Sequence, residues 1–216
     1  MDPLHVCIAL GPLAMYFLVL GAVNLSSRPF LTTGARDTAA LGLGIAGFAA
    51  AGPMELFLPE KAAVEFGPYV WGLLLGLYFL GLLLLVLLSR PRLVLYNATI
   101  DQLRPALAEV VARLDPEARW AGDSLTIPEL GVQLHIEPLS AVKNVQLVAS
   151  GPEQNIYGWR KLEGELAFAL RKSRGTPNPY GLSLITFGLF MCGMVSYWLA
   201  RDPLAVQQAL NELLRR

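Results

Sequence analysis

Four long stretches without a charged side chain dominate this sequence: Val6 to Ser27, Thr38 to Met54, Gly67 to Ser89 and Gly175 to Ala200. A hydrocarbon core roughly 30 Å thick is crossed by about 20 apolar helical residues, so each stretch reads as a transmembrane helix. The third is the strongest, with Leu73-Leu74-Leu75 and Leu82 through Leu85. The second is the weakest, because it is rich in Ala and Gly and meets Pro53 and Glu55 near its end. Leu56, Phe57 and Leu58 carry its apolar character outward. The expected spans are therefore about 5–27, 38–58, 68–89 and 177–201.

Composition agrees with that reading. Of 216 residues, 54% are hydrophobic and 16% charged, against about a quarter charged in an average soluble chain. Lys and Arg number 17, as do Asp and Glu, which leaves no excess positive charge to neutralise nucleic-acid phosphates. Nucleic acid is not an expected partner. Cys7 and Cys192 both lie inside apolar runs, so neither a disulfide framework nor a CxxC site can be built from them. Arg outnumbers Lys and Ala, Leu and Gly abound, the usage of a GC-rich bacterial genome, so the expected membrane is a bacterial inner (plasma) membrane.

Met1-Asp2-Pro3-Leu4-His5 lacks the basic n-region of a signal peptide, and the first span is expected to be retained. Orientation follows from the basic residues close to the spans. Arg28, Arg36, Arg90, Arg92, Arg171, Lys172 and Arg174 stand on one side, and Lys61, Arg201, Arg215 and Arg216 on the other. Both termini should face outward and the segment 91–176 should be cytoplasmic.

That segment reads as an inserted α+β domain of order β-α-β-β-β-α, an antiparallel sheet with its helices on one face. Arg92-Leu93-Val94-Leu95-Tyr96 is rich in strand formers, and Thr99 with Gln102 matches a capping box. Leu103, Leu107, Val110, Val111 and Leu114 then share one helical stripe, although Pro105 conflicts with an unbroken helix there. Gly122-Asp123 reads as a hairpin turn between 118–121 and 124–127. Val132, Leu134 and Ile136 alternate with Gln133, His135 and Glu137, and Val145, Leu147 and Ala149 repeat the alternation. A second amphipathic helix places Ile156, Trp159, Leu162, Leu166 and Leu170 on one face. Beyond the last span, 202–216 reads as an amphipathic C-terminal helix.

Few residues offer chemistry. Gly42, Gly44 and Gly47 spell GxGxxG, but no strand precedes them and they lie in an apolar span, so steric packing replaces the dinucleotide reading. Ala40 with Gly44, Gly47 with Ala51, and Gly72 with Gly76 are small residues four apart, the spacing that lets membrane helices approach closely within one chain or between copies. Arg90, Arg92, Arg171, Lys172 and Arg174 form a basic set suited to the membrane surface and to anionic headgroups. Glu55 falls near the outer interface, and His135 with Glu137 shares the solvent face of one strand. Asn24-Leu25-Ser26 and Asn97-Ala98-Thr99 match the glycosylation pattern by chance. With no GxSxG, Ser-Lys or HExxH arrangement, no catalytic group, metal or cofactor is expected. The expected function is non-enzymatic: the cytoplasmic domain binds a protein partner or senses a ligand. The alternatives are a non-catalytic subunit of a membrane transport or enzyme complex, and a membrane enzyme acting at the cytoplasmic face. Expected partners are the lipid bilayer and another membrane or cytoplasmic protein, or a second copy.

Overall fold

A computed structural model describes residues 3–54, 65–67, 69–139, 143–171, 173, 177–201, 203 and 207–208. The described elements are α1 (Pro3–Leu25), β1 (Phe30–Thr33), α2 (Gly34–Ala49) with a π-helical turn at Ala50–Met54, α3 (Tyr69–Leu88), β2 (Arg92–Tyr96), α4 (Ile100–Leu114), β3 (Arg119–Ala121), β4 (Ser124–Ile127), β5 (Val132–Leu139), β6 (Asn144–Ala149), α5 (Ile156–Leu170) and α6 (Tyr180–Arg201). They divide between two compact units: Met1–Leu20 with Ala39–Leu87 and Ser183–Arg216, and Gly21–Thr38 with Leu88–Leu182.

Among the described residues, three helices, each mostly in the first unit, are long and apolar enough to cross a membrane: Leu4–Leu25, Tyr69–Leu88 and Tyr180–Arg201. The expected fourth, 38–58, is not among them. Helix α2 begins earlier than its apolar run, carries Arg36 and Asp37 in its first turn, and gives way to the π turn at Ala50. Glu55 and the rest of that expected span lie outside the described residues, as does nearly all of the expected helix 202–216.

Helix α2 is lodged between α1 and α3. A Cβ added to Gly42 would collide with Leu82 of α3, and one at Gly44 would stand 2.9 Å from Tyr16 of α1. At Gly47 it would collide with the carbonyl oxygen of Ile8. The Tyr78 hydroxyl of α3 donates to the Gly42 carbonyl at 2.6 Å. Gly72 and Gly76 have open space where a Cβ would project.

The second unit is built on an antiparallel six-stranded sheet of order β1-β2-β6-β5-β4-β3. The hairpin expected at Gly122-Asp123 forms, and its two arms together with an unexpected strand bring the sheet to six where the order β-α-β-β-β-α counts four. The Gly122-Asp123 hairpin contributes two strands, β3 and β4, with Gly122 at φ +63°, where glycine carries no steric penalty. A sixth strand, β1, comes from the connection between α1 and α2 and pairs Phe30 with Tyr96 through Thr33 with Leu93.

One face of the sheet is the core. Leu93, Leu95, Leu125, Ile127, Val132, Leu134, Ile136, Val145 and Leu147 pack with Leu103, Leu107, Val110 and Val111 of α4 and Trp159, Leu162, Leu166 and Leu170 of α5. Helix α4 runs through Pro105 from a start fixed by Thr99, whose N–H donates to the Gln102 side chain at 3.2 Å. Helix α5 starts at Asn155, which accepts from the N–H groups of Tyr157 (2.9 Å) and Gly158 (3.4 Å). Ile156, expected on the buried face, is 65% exposed, and Gly158 takes the inward position, where an added Cβ would collide with the Leu130 carbonyl oxygen.

Candidate functional site

The alternation along β5 decides where His135 and Glu137 sit. Val132, Leu134 and Ile136 turn into the core, so Gln133, His135 and Glu137 occupy the other face, which the two helices leave uncovered. By register, Ser124, Thr126 and Gln146 share that face with them. The Ser124 hydroxyl lies 3.0 Å from His135 Nδ1, and Glu137 stands opposite Gln146. His135 and Glu137 are both exposed. No group of three His, Cys, Asp or Glu side chains among the described residues could hold a metal ion.

At the end of this face a shallow groove of about 450 Å³ opens between Thr126, Pro128 and Gln133 on one side and Glu153, Gln154 and Asn155 on the other. Its polar wall is already engaged. The Gln154 amide donates to the carbonyls of Ser150 (2.6 Å) and Gln133 (3.0 Å), and its oxygen accepts from Trp159 Nε1 at 2.9 Å. Gln154 thereby extends the ladder beyond the end of β6. Glu153 is the one charged residue lining the groove.

A denser set of polar contacts joins the domain to the helix ends that belong to the same unit. Asn178, fully buried, donates from its side chain to Asn24 Oδ1 (3.2 Å) and from its backbone to the Asn24 carbonyl (2.9 Å). Its own side-chain oxygen accepts from Tyr180 N–H at 3.2 Å, capping α6. Gly181 permits this approach: a Cβ there would lie 2.8 Å from the Gly21 carbonyl oxygen and 3.0 Å from the Asn24 Cβ. Asn97, in the turn after β2 at φ +57°, donates to the Ser26 carbonyl. Both asparagines of the chance glycosylation patterns are therefore buried and committed to the protein's own hydrogen bonds.

The first turn of α2 is held in the same way. The Tyr96 hydroxyl donates to Asp37 Oδ1 at 2.5 Å, Arg92 donates to Thr38 Oγ1 at 3.2 Å, and Arg36 pairs with Glu163 of α5 at 2.8 Å. Of the basic residues singled out from sequence, Arg92 is thus engaged by Thr38 and Asp37, whereas Arg90 and Arg171 are exposed. Lys172 and Arg174 lie outside the described residues.

Of the small residues, Gly44 and Gly47 lie against α1, and a Cβ added at Gly72 or Gly76 would meet nothing within 4 Å among the described residues. Sequence reasoning missed Asn24, Asn97, Asn178 and Asp37. Two of them carried a signal: an amide within an apolar span is a common interhelical hydrogen-bonding group, and Asn178-Pro179 before an apolar run is a helix start. Comparison with protein-family models, curated proteins and solved structures found no match.

Proposed function

We propose that the chain is a multi-pass membrane protein with four spans, α1, α2, α3 and α6, that holds a recognition domain at the cytoplasmic face of a bacterial inner membrane. The pairing of β1 with β2 carries the four-span reading. Strand β1 follows α1 and β2 follows α3, and two strands of one sheet occupy one side of a membrane. If α1 and α3 both cross, the chain between them crosses back, and α2 is the described helix that lies there. Its glycine contacts with α1 and α3 support the same reading. Four crossings put both termini on the side opposite the domain. The arginines near the domain-side helix ends favour the cytoplasm for that side.

A fluorescent reporter that folds only in the cytoplasm tests this. Inserted near Gly151 it should light up, and fused after Arg216 it should stay dark. The reverse pattern would invert the orientation, and light at both sites would contradict the four-span count in the absence of inversion of either unit.

The domain's role in this reading is non-enzymatic recognition of a protein partner or a ligand. The exposed polar stretch Gln133, His135 and Glu137 of β5 is available for contact, and Asn24, Asn178 and the first turn of α2 are bonded into the same unit as the sheet. A photo-crosslinking residue at Gln133 or Gln146 should yield a defined adduct with one protein in living cells, and one at the solvent side of α4, such as Arg113, should not. One observation favours a second reading, a non-catalytic subunit of a larger membrane complex: only Val70 of the 20 residues of α3 is buried. Adducts from Leu77 or Leu84, with none from the sheet face, would select that reading.

A further inference from the structure

Two junctions in this chain share one tripeptide. Ser27-Arg28-Pro29 follows α1 and leads into β1, and Ser89-Arg90-Pro91 follows α3 and leads into β2. Each arginine stands two or three residues past the last helical residue and immediately before a proline that fixes φ and cannot donate to a ladder. Since β1 and β2 are antiparallel, Arg28 and Arg90 lie at opposite ends of that ladder.

These two arginines differ from several others in the same unit. Arg36 is paired with Glu163, Arg104 with Asp123, and Arg92 with Thr38 and Asp37. Arg28 and Arg90 are exposed, and among the described residues neither guanidinium has a carboxylate partner. If α1 and α3 cross the bilayer, a residue this close to the helix end lies at headgroup depth, where the available anion is a lipid phosphate.

We infer that the two Ser-Arg-Pro junctions are anchoring sites for anionic phospholipid, one headgroup phosphate accepting from the planar guanidinium fork of each arginine. The inference rests on the membrane reading and adds a lipid preference to it. The proline following each arginine separates it from the ladder, which leaves the side chain to the headgroup layer instead of the sheet.

The test uses the full-length protein in mild detergent, where insertion orientation plays no part, titrated with short-chain phosphatidylglycerol or phosphatidylcholine and read by native mass spectrometry. Phosphatidylglycerol should bind in preference to phosphatidylcholine. That preference should fall about fivefold in Arg28→Gln or Arg90→Gln and roughly thirtyfold in the double variant, from about 1 kcal/mol per basic residue at an anionic surface. Arg113→Gln, on the solvent side of α4, should leave it unchanged. Equal binding of the two lipids, a double variant that keeps the preference, or displacement by equimolar inorganic phosphate would overturn the inference. Failure of the membrane reading itself would look different: the protein would leave the membrane in alkaline carbonate without detergent.

Discussion

Leucine plays opposite parts in the two units. In the sheet unit Leu103, Leu107, Leu134, Leu162 and Leu166 are fully buried, whereas in α3 Leu73, Leu77, Leu87 and Leu88 are between 67% and 75% exposed. Water cannot account for the second set, since a row of bare leucines on one helix would drive association. In the proposed membrane reading hydrocarbon accounts for it, because a lipid tail is as apolar as leucine and nothing is gained by turning the side chain inward. The two units are therefore held by different forces. The sheet unit is held by burial of apolar surface, and the helical unit by close approach at glycine and by the Tyr78 hydroxyl bond to the Gly42 carbonyl.

That contrast can be broken by substitution, and the largest effects belong in the sheet unit. Leu107→Ala or Leu134→Ala should cost about 2–5 kcal/mol of domain stability, and Leu77→Ala or Leu88→Ala less than about 0.5 kcal/mol. Denaturant unfolding of the purified chain, followed by Trp fluorescence, measures both. Equal losses at the two sets would mean that α3 is packed as a soluble helix is.

Next come the glycines. Gly47→Ala forces a methyl into the Ile8 carbonyl and should destabilise the helical unit by about 1–3 kcal/mol, while Gly72→Ala, facing open space, should change stability by less than about 0.5 kcal/mol. Thermal melting in detergent distinguishes them, and a larger loss at Gly72 would place the tight contact elsewhere.

The asparagine clasp should follow closely. Asn24→Ala leaves the buried Asn178 amide short of an acceptor and should cost about 1–3 kcal/mol, as should Asn178→Ala. In the double variant the losses should sum to less than the two single values, because both remove the same bond. Strict additivity would show that the bond does not couple the two helix ends.

Smallest of all, His135→Ala and Glu137→Ala should each stay within about 0.5 kcal/mol, since both side chains stand on a solvated strand face. If either abolished the cellular phenotype with domain melting preserved, the non-enzymatic reading would lose its support.

These regions also differ in how far the sequence reveals them. The stripe Leu103, Leu107, Val110, Val111 and the alternation Val132, Leu134, Ile136 are periodic over enough residues to name both the element and its buried face. Strand β1 has four residues and follows a proline, too short for alternation to register, and it exists because β2 offers a partner edge. Its presence also alters what the segment 92–173 amounts to in isolation. Without the helices it should still melt cooperatively from its own core, yet several degrees below the domain in the full chain, because the β2 edge loses its partner. A disordered amide spectrum would contradict this.

Side-chain functions were harder to read than elements. Nothing local separates Gly47, wedged against a backbone carbonyl, from Gly72, facing open space, because both are small residues four from another. Likewise Arg90 and Arg92 are two residues apart with opposite surroundings, which the arrival of α2's first turn over β2 decides. The buried asparagines look like surface glycosylation patterns until the helix ends are brought together.

Cysteine accessibility in oriented vesicles separates a unit in hydrocarbon from a unit in water on the cytoplasmic side. With Cys7 and Cys192 replaced by Ala, single cysteines at Leu77, Leu84, Gln133 and Lys161 would be exposed to a membrane-impermeant maleimide. Gln133→Cys and Lys161→Cys should be labelled in inside-out vesicles alone, and Leu77→Cys and Leu84→Cys in neither orientation until detergent is added. Ready labelling of the α3 positions in intact vesicles, or protection of the domain positions in inside-out ones, would contradict the membrane reading.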